Sequence, residues 1–352
     1  MGDIAYMARN KRTTVPDLLA DPFRERSASM IREPLHLLGG RFRFETNSRE
    51  LLHLVDSAYA GLPRHRLSAV VPRLRVGLLL SPRGQPRPRR RLEPSTLELL
   101  STAGFLGGAT DSSDFVLVAP RERAALVVVS PKMLRFPYHT RYELIEFAVF
   151  MLAARTQGLV ALHAACVGRG GHGILLMGSS GAGKSTVALQ CLLQGLDFVS
   201  EDSVFVAPDT LRATGIANFL HVRADSLRWI ERDSDAAPIR NSPVIRRRSG
   251  VKKFELDLRR GGYRLAASPL RIGAVVFLSA QKSQDGRLLR PLLKSTLLAR
   301  LAKAQSYAAG QPQWATFAAR LSDLGGFELR RGRHPLEAVE ALRSLLARRR
   351  TR

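Results

Sequence analysis

The sequence predicts an α/β protein: a phosphate-loop domain with a mixed sheet, preceded by a smaller α+β domain. Three observations carry this. Residues 178–185 read Gly-Ser-Ser-Gly-Ala-Gly-Lys-Ser, which meets every fixed position of the pattern G-x-x-x-x-G-K-[ST]. The apolar run 174–177 precedes this loop as a strand, and residues 187–193 follow it as a helix. A second apolar run, 161–167, is joined to 174–177 by the glycine-rich turn 168–173, so the loop strand gains an antiparallel neighbour. Most folds of this kind enter the loop strand from a helix and keep its neighbours parallel. With 352 residues and 45% hydrophobic content, the chain is long enough to bury two cores.

The remaining elements follow in order. Residues 1–30 are polar and irregular, as in a mobile arm, residues 31–140 make up the α+β domain, and residues 141–352 the phosphate-loop domain. Residues 41–46 alternate charged and aromatic side chains, as a half-buried strand does. Asn47 and Ser48 offer a helix cap, and Leu51, Leu52, Leu54, Val55 and Tyr59 recur at helical spacing up to Gly61. Residues 74–80 read as a strand and 81–91, rich in Pro and Arg, as an exposed loop. Pro94 opens a helix through Leu100. Residues 115–119 and 124–129 form a hairpin around 120–123. His36, His53, His65 and His139 are isolated, so surface or hydrogen-bonded roles are expected of them.

Residues 142–156 form an amphipathic helix that bridges the domains and buries Leu144, Ile145, Phe147, Phe150, Met151 and Ala154. Beyond the loop helix Gly195 supplies a C-cap, and 197–200 and 204–207 are strands on either side of Glu201-Asp202. Residues 211–253 carry short apolar pieces and the basic run Arg246-Arg247-Arg248, followed by Lys252-Lys253. Residues 272–278 are a buried strand, 296–309 and 313–321 are helical, and 327–329 is a short strand. Residues 335–347 form a closing helix that opens with Pro and ends in a frayed basic tail, 348–352.

Composition narrows the function classes. Lys and Arg number 55 against 30 Asp and Glu, a formal charge of +25, which favours acidic partners such as nucleotides, nucleic acid or an anionic peptide. The basic clusters are scattered and lack interleaved aromatics, and aromatic residues are 7% of the chain; both weigh against a nucleic-acid module. Cys166 and Cys191 form neither a C-x-x-C pair nor a His/Cys ligand spacing, so buried free thiols are expected. Residues 1–16 lack the apolar core of a signal peptide, and the longest apolar run, 147–154, is too short to span a bilayer. A cytoplasmic, reduced protein without membrane attachment is expected.

The chemistry centres on the loop. Its glycines let successive backbone N–H groups converge on an anion, and the helix N-terminus adds its positive dipole end. The nucleotide-binding set is Gly178, Ser179, Ser180, Gly181, Ala182, Gly183, Lys184, Ser185 and Thr186, with Lys184 on the outer phosphates and Ser185 on Mg²⁺. Glu201 and Asp202, at a strand end downstream of the loop, divide the acid's work: one holds metal, the other accepts a proton from an incoming hydroxyl. Arg247 and Lys253 serve as a phosphate or substrate clamp, or equally belong to a solvated basic loop. His163 reads, on pattern alone, as a buried strand histidine.

Taken together, the loop, the antiparallel strand pair before it and the acidic pair after it resemble the HPr kinase/phosphorylase family, whose nucleotide-binding domain is related to phosphoenolpyruvate carboxykinase. Leu162-His163 matches the Leu-His of that family's strand, and Val199-Ser200-Glu201-Asp202 stands where the family has a motif like Val-Ala-Asp-Asp. The resemblance covers residues 159–206 and extends more weakly through 275–279. It implies ATP and Mg²⁺ as ligands, with Lys184 and Ser185 on the phosphates and metal, Asp202 on the metal, Glu201 in place of the catalytic Asp, and His163 near the reacting phosphoryl group. The family's Arg-Gly-Leu-Gly signature has only the poor imitation Arg212-Ala213-Thr214-Gly215, which points away from HPr itself and towards related kinases that phosphorylate serine on a precursor peptide, as in lasso-peptide pathways. The resemblance also implies a homo-oligomer.

The resulting expectation is an ATP- and Mg²⁺-dependent kinase that transfers the γ-phosphoryl group to a serine hydroxyl on a protein or precursor peptide. A small-molecule kinase on the same nucleotide core and a basic ATP-sensing regulator without transferase activity are the alternatives.

Overall fold

The computed structural model describes residues 30–81, 94–102, 104–110, 113–179 and 181–350. The arm expected at 1–30 and the loop expected at 81–91 lie almost wholly outside these residues. Ile31–Leu37 (β1) and Gly40–Thr46 (β2) pair antiparallel. In β2 Phe42 and Phe44 are fully buried and Arg41 and Arg43 exposed, as a period of two requires. Arg49–Tyr59 (α1) starts where Ser48 Oγ accepts from the Leu51 N–H at 3.3 Å, satisfying an otherwise orphan donor. Leu51, Val55, Ala58 and Tyr59 form its buried stripe.

Arg73–Leu80 (β3), Glu98–Thr102 (β4), Phe105–Ala109 (β5), Phe115–Ala119 (β6) and Ala124–Val129 (β7) complete a seven-stranded sheet ordered β1-β2-β3-β7-β6-β5-β4. The β2–β3 and β3–β7 pairs are parallel and the others antiparallel. The helix expected from Pro94 through Leu100 is absent, because β4 pairs with β5 there instead. Leu99 and Leu100 are 63% and 70% exposed, so no apolar stripe anchors a helix, and a proline at the start cannot outweigh a ladder of hydrogen bonds.

A short helical turn Pro137–His139, a π-helical segment Thr140–Ile145 and Glu146–Gln157 (α2) follow one another, ending at Gly158 with φ +62°. The fully buried apolar residues are Leu144, Ile145, Ala148, Val149, Leu152 and Ala153. Phe147, Phe150 and Met151, expected on the buried side, are only partly covered. The π segment shifts the register by part of a turn. Phe150 meets Phe205 edge-on at 5.1 Å, which seats the helix between the two halves of the chain.

The second half is a nine-stranded mixed sheet. Val160–His163 (β8), Ala165–Arg169 (β9), His172–Met177 (β10), Asp197–Ser200 (β11), Ser203–Val206 (β12), Arg212–Gly215 (β13) and Leu270–Lys282 (β17) run in the order β11-β9-β10-β17-β13-β12-β8. Gly326–Arg331 (β19) adds to β17 in parallel and Leu289–Leu292 (β18) to β19. The loop strand β10 has β9 antiparallel on one side and β17 parallel on the other. The single strand expected over 161–167 is broken at Ala164: β8 pairs with β12 while β9 pairs with β10 and β11. The Ala164 N–H donates to the Asp202 carbonyl at 3.2 Å, so this break abuts the one between β11 and β12.

Phe219–Val222 (β14), Val244–Arg246 (β15) and Lys252–Asp257 (β16) form a separate three-stranded sheet. Lys184–Leu193 (α3) follows the glycine-rich loop, and Asp233–Arg240 (α4) precedes β15. Lys294–Ala304 (α5), Ser306–Ala309 (α6) and Trp314–Leu324 (α7) replace the two helices expected there, with the first interrupted at Gln305. Pro335–Arg350 (α8) continues into the tail expected to fray. Alternation along β10 sorts the cores. Ile174 and Leu176 pack with Leu189 and Leu192 of α3 and Val339 and Leu342 of α8. Leu175 and Met177 pack with Leu301 of α5 and Phe317 and Leu321 of α7. The sheet is thus covered on both faces, which buries β10 from Gly173 to Met177.

Glu146 is 4% exposed and its Oε1 has no hydrogen-bond partner. Burial pushes its carboxyl up to about 8 against the opposing charge of Arg141. The folded state therefore holds a proton that the unfolded chain releases near its ordinary value, and this contribution to stability falls as pH rises from about 4.5 to about 8 and is flat above. Chemical denaturation of Glu146→Gln should match wild type near pH 5 and show a more stable protein at pH 8.

Candidate active site

The glycine-rich loop starts where β10 ends. Gly181 and Gly183 adopt φ of +82° and +98°, a region that L side chains avoid. Gly183 caps α3, and its carbonyl accepts from the Val187 N–H at 2.9 Å, so the helix's first donors open towards the loop. Gly178, Ser179, Gly181, Ala182, Gly183, Lys184, Ser185 and Thr186 line one cavity of about 1080 Å³. Ser180 lies outside the described residues. His163, Glu201, Asp202, Arg247 and Lys253 line the same cavity, so the described candidate site residues come together there.

The two strand breaks bring the reactive groups into contact. Register pairs Ser203 with His163, which sets Asp202 beside the end of β8. Lys184 Nζ donates to His163 Nε2 at 2.9 Å. An ammonium has no acceptor, so Nε2 accepts and Nδ1 carries the ring proton, which is donated to Asp202 Oδ1 at 2.8 Å. Lys184 Nζ is also 3.9 Å from Asp202 Oδ1, and Arg247 Nη1 is 3.7 Å from Oδ2. Burial pushes the Asp202 carboxyl up, but the His163 hydrogen bond and the charges of Lys184 and Arg247 outweigh it and hold the group well below the usual carboxylate range. Burial lowers Lys184 from the ordinary lysine value against the pull of Asp202 and Glu201. Lys253 is likewise lowered by burial, opposed first by Glu201.

His163 is fixed from behind by Gln305, at the interruption between α5 and α6. The Gln305 amide accepts from the His163 N–H at 2.8 Å and donates to its carbonyl at 3.0 Å. The helix break thus restores the hydrogen bonds that β8 loses where it ends.

Glu201 has different surroundings from its neighbour. It is 5% exposed, and its Oε1 accepts from the His221 N–H at 3.0 Å and from His221 Nδ1 at 2.8 Å. Its Oε2 has no hydrogen-bond partner. His221 Nε2 lies 2.7 Å from the Tyr142 hydroxyl and 3.4 Å from Glu255 Oε1, and Arg141 donates to Glu255. Burial lowers His221, but hydrogen bonds to Glu201 and Glu255 win and raise it. Burial raises Glu255, and His221 and Arg141 more than reverse that. Arg141 and Tyr142 belong to the π segment, which thus supports His221 and Glu255 behind Glu201.

His221, Tyr142, Glu255, Arg141 and Gln305 were not foreseen. His221 sits on a short apolar strand twenty residues after Glu201, and no motif joins them. The mixed charge of the lining was foreseeable only as a surplus: ten Lys and Arg side chains face three carboxylates, Glu201, Asp202 and Asp225.

No protein-family model matches the chain, and no curated protein matches it. Among solved structures it is similar to the HPr(Ser) kinase/phosphatase from Coxiella burnetii, at 12% identity over 54% of this chain and 90% of that one, with a TM-score of 0.26. A superposition that loose bears on neither site nor activity. The mixed α/β architecture stands on the sheets themselves. No described helix is long and apolar enough to cross a membrane.

Arg141 and Glu255 are a buried pair, with side chains 7% and 10% exposed. Removing one charge strands the other away from water. Urea denaturation should show Glu255→Gln destabilised by about 3 kcal/mol, with much of that regained in Arg141→Met/Glu255→Met.

Proposed function

We propose that this chain is a phosphotransferase that moves the γ-phosphoryl group of ATP to a serine hydroxyl on a protein or precursor peptide. The observation that carries the reading is the hydrogen-bonded chain Lys184–His163–Asp202 at the mouth of a phosphate loop. It joins a phosphate-binding cation to an ionised carboxylate through a histidine, within one cavity that also holds a second, partly unpartnered carboxylate.

The loop amides and Lys184 hold the outer phosphates, while Arg247 and Lys253 neutralise charge that builds on the transferring group. The acceptor oxygen attacks the γ-phosphorus, its proton passes to Glu201 Oε2, and the bond to the bridging oxygen breaks to release ADP. Glu201 suits that part because His221 holds Oε1 by two hydrogen bonds and leaves Oε2 to accept. His163 orients Asp202 and stands beside the phosphoryl group.

The residues fit a magnesium ion. Asp202 is held ionised, the Ser185 hydroxyl lines the same cavity, and Mg²⁺ takes one or two protein ligands beside phosphates and water. Ser185 and Asp202 would hold the ion, which would supply charge neutralisation at the phosphates.

With γ-labelled ATP and a protein extract of its source as acceptor, Lys184→Ala should lose transfer while keeping its circular dichroism spectrum and melting temperature. Retained transfer contradicts the assignment. Glu201→Gln should bind ATP with unchanged affinity by calorimetry yet transfer at least about a hundredfold more slowly; normal turnover removes Glu201 from the proton-accepting role.

A further inference from the structure

We infer that Trp229 is the stacking platform for the nucleobase of the bound nucleotide. This rests on the reading of the loop as a nucleoside-triphosphate site and adds where the nucleoside lies and what holds it.

The cavity has a direction. Lys184, which in such loops reaches the β- and γ-phosphates, points its Nζ at His163, so the outer phosphates lie towards His163, Asp202 and Arg247. The nucleoside leaves at the opposite end. Thr186, in the first turn of α3, marks that end: its hydroxyl is 3.1 Å from Ser226 Oγ. Ser226 belongs to the 3₁₀ turn Ala224–Trp229, and Gln190 of α3 donates to the Trp229 carbonyl at 2.8 Å. Two hydrogen bonds from one helix therefore fasten this turn beside the loop, with the indole as its last side chain.

That end of the cavity has the chemistry of a base site. Trp229 is a partly exposed ring, whereas Phe277, the cavity's other large aromatic, is 6% exposed within the sheet. The Arg228 guanidinium lies over the indole at 4.8 Å from its centroid. A face that attracts a guanidinium offers the same π surface to a base. His334, at the start of α8, meets the indole at 5.2 Å with its plane turned 80°. Its Nδ1 accepts from the Leu336 N–H at 3.2 Å, which leaves Nε2 as the ring's donor towards a base acceptor. Arg331 ties the same wall to the loop by donating to the Gly181 carbonyl at 3.1 Å. The acceptor hydroxyl then enters from the other end, past Arg247 and Lys253.

The test compares ATP with inorganic tripolyphosphate, which has the phosphates and no base. By calorimetry Trp229→Leu should weaken ATP binding about tenfold or more, leave tripolyphosphate affinity unchanged, and be largely rescued by Trp229→Phe. In a Trp314→Phe background, where Trp229 is the sole tryptophan, ATP should quench its fluorescence and tripolyphosphate should not. Unchanged ATP affinity in Trp229→Leu, or an equal loss for both ligands, overturns the platform and leaves the loop reading intact. A wild-type protein that binds neither ligand overturns the loop reading as well.

Discussion

Everything in the site depends on keeping one ammonium charged in a place with little water. The Lys184 side chain is 10% exposed, and a buried cation is costly unless paired. Asp202 supplies the opposite charge, but mainly through His163, since the direct separation is 3.9 Å. The histidine converts a loose ion pair into two short hydrogen bonds with fixed directions. It also dictates its own tautomer, because lysine can only donate. A site arranged this way is ordered before any ligand enters, which is what electrostatic catalysis requires.

The backbone makes that contact available. In an unbroken β8–β9 strand, His163 would be one more ladder residue. The break at Ala164 and the break at Glu201-Asp202 face each other, and the Ala164 N–H bonds to the Asp202 carbonyl. Each chain thus leaves one sheet partner for another at the same point, and side chains on both can turn into the cavity. Gln305 compensates the backbone polarity that the break exposes. Behind this, Tyr142 and Arg141 reach from the π segment to His221 and Glu255, so the first half of the chain takes part in shaping the pocket.

Much of this was legible beforehand, for physical reasons. The order of apolar strand, glycine-rich loop and helix is written in the residues from β10 to α3, and the buried strands β10 and β17 announce themselves by composition. The cap at Ser48 and the hairpin of β6 and β7 follow from local rules of turn and cap chemistry. Local signals failed where tertiary contacts decide. Pro94 looked like a helix start, but the pairing partner of β4 outweighed it. The rotation of the apolar face around Phe147 and Phe150 comes from the π segment, which has no sequence pattern. His221 and Glu255 are ordinary strand residues until the fold sets them against Glu201, and Gln305 is a helix residue until the helix breaks.

The polarity of the cavity is open to direct test in a crystal structure of the protein with a non-hydrolysable ATP analogue and Mg²⁺. The γ-phosphate should lie at the His163 and Asp202 end with Lys184 Nζ on its oxygens, and the nucleoside beyond Thr186. A triphosphate lying the other way, with its base against His163 and its γ-phosphate near Arg331, contradicts it.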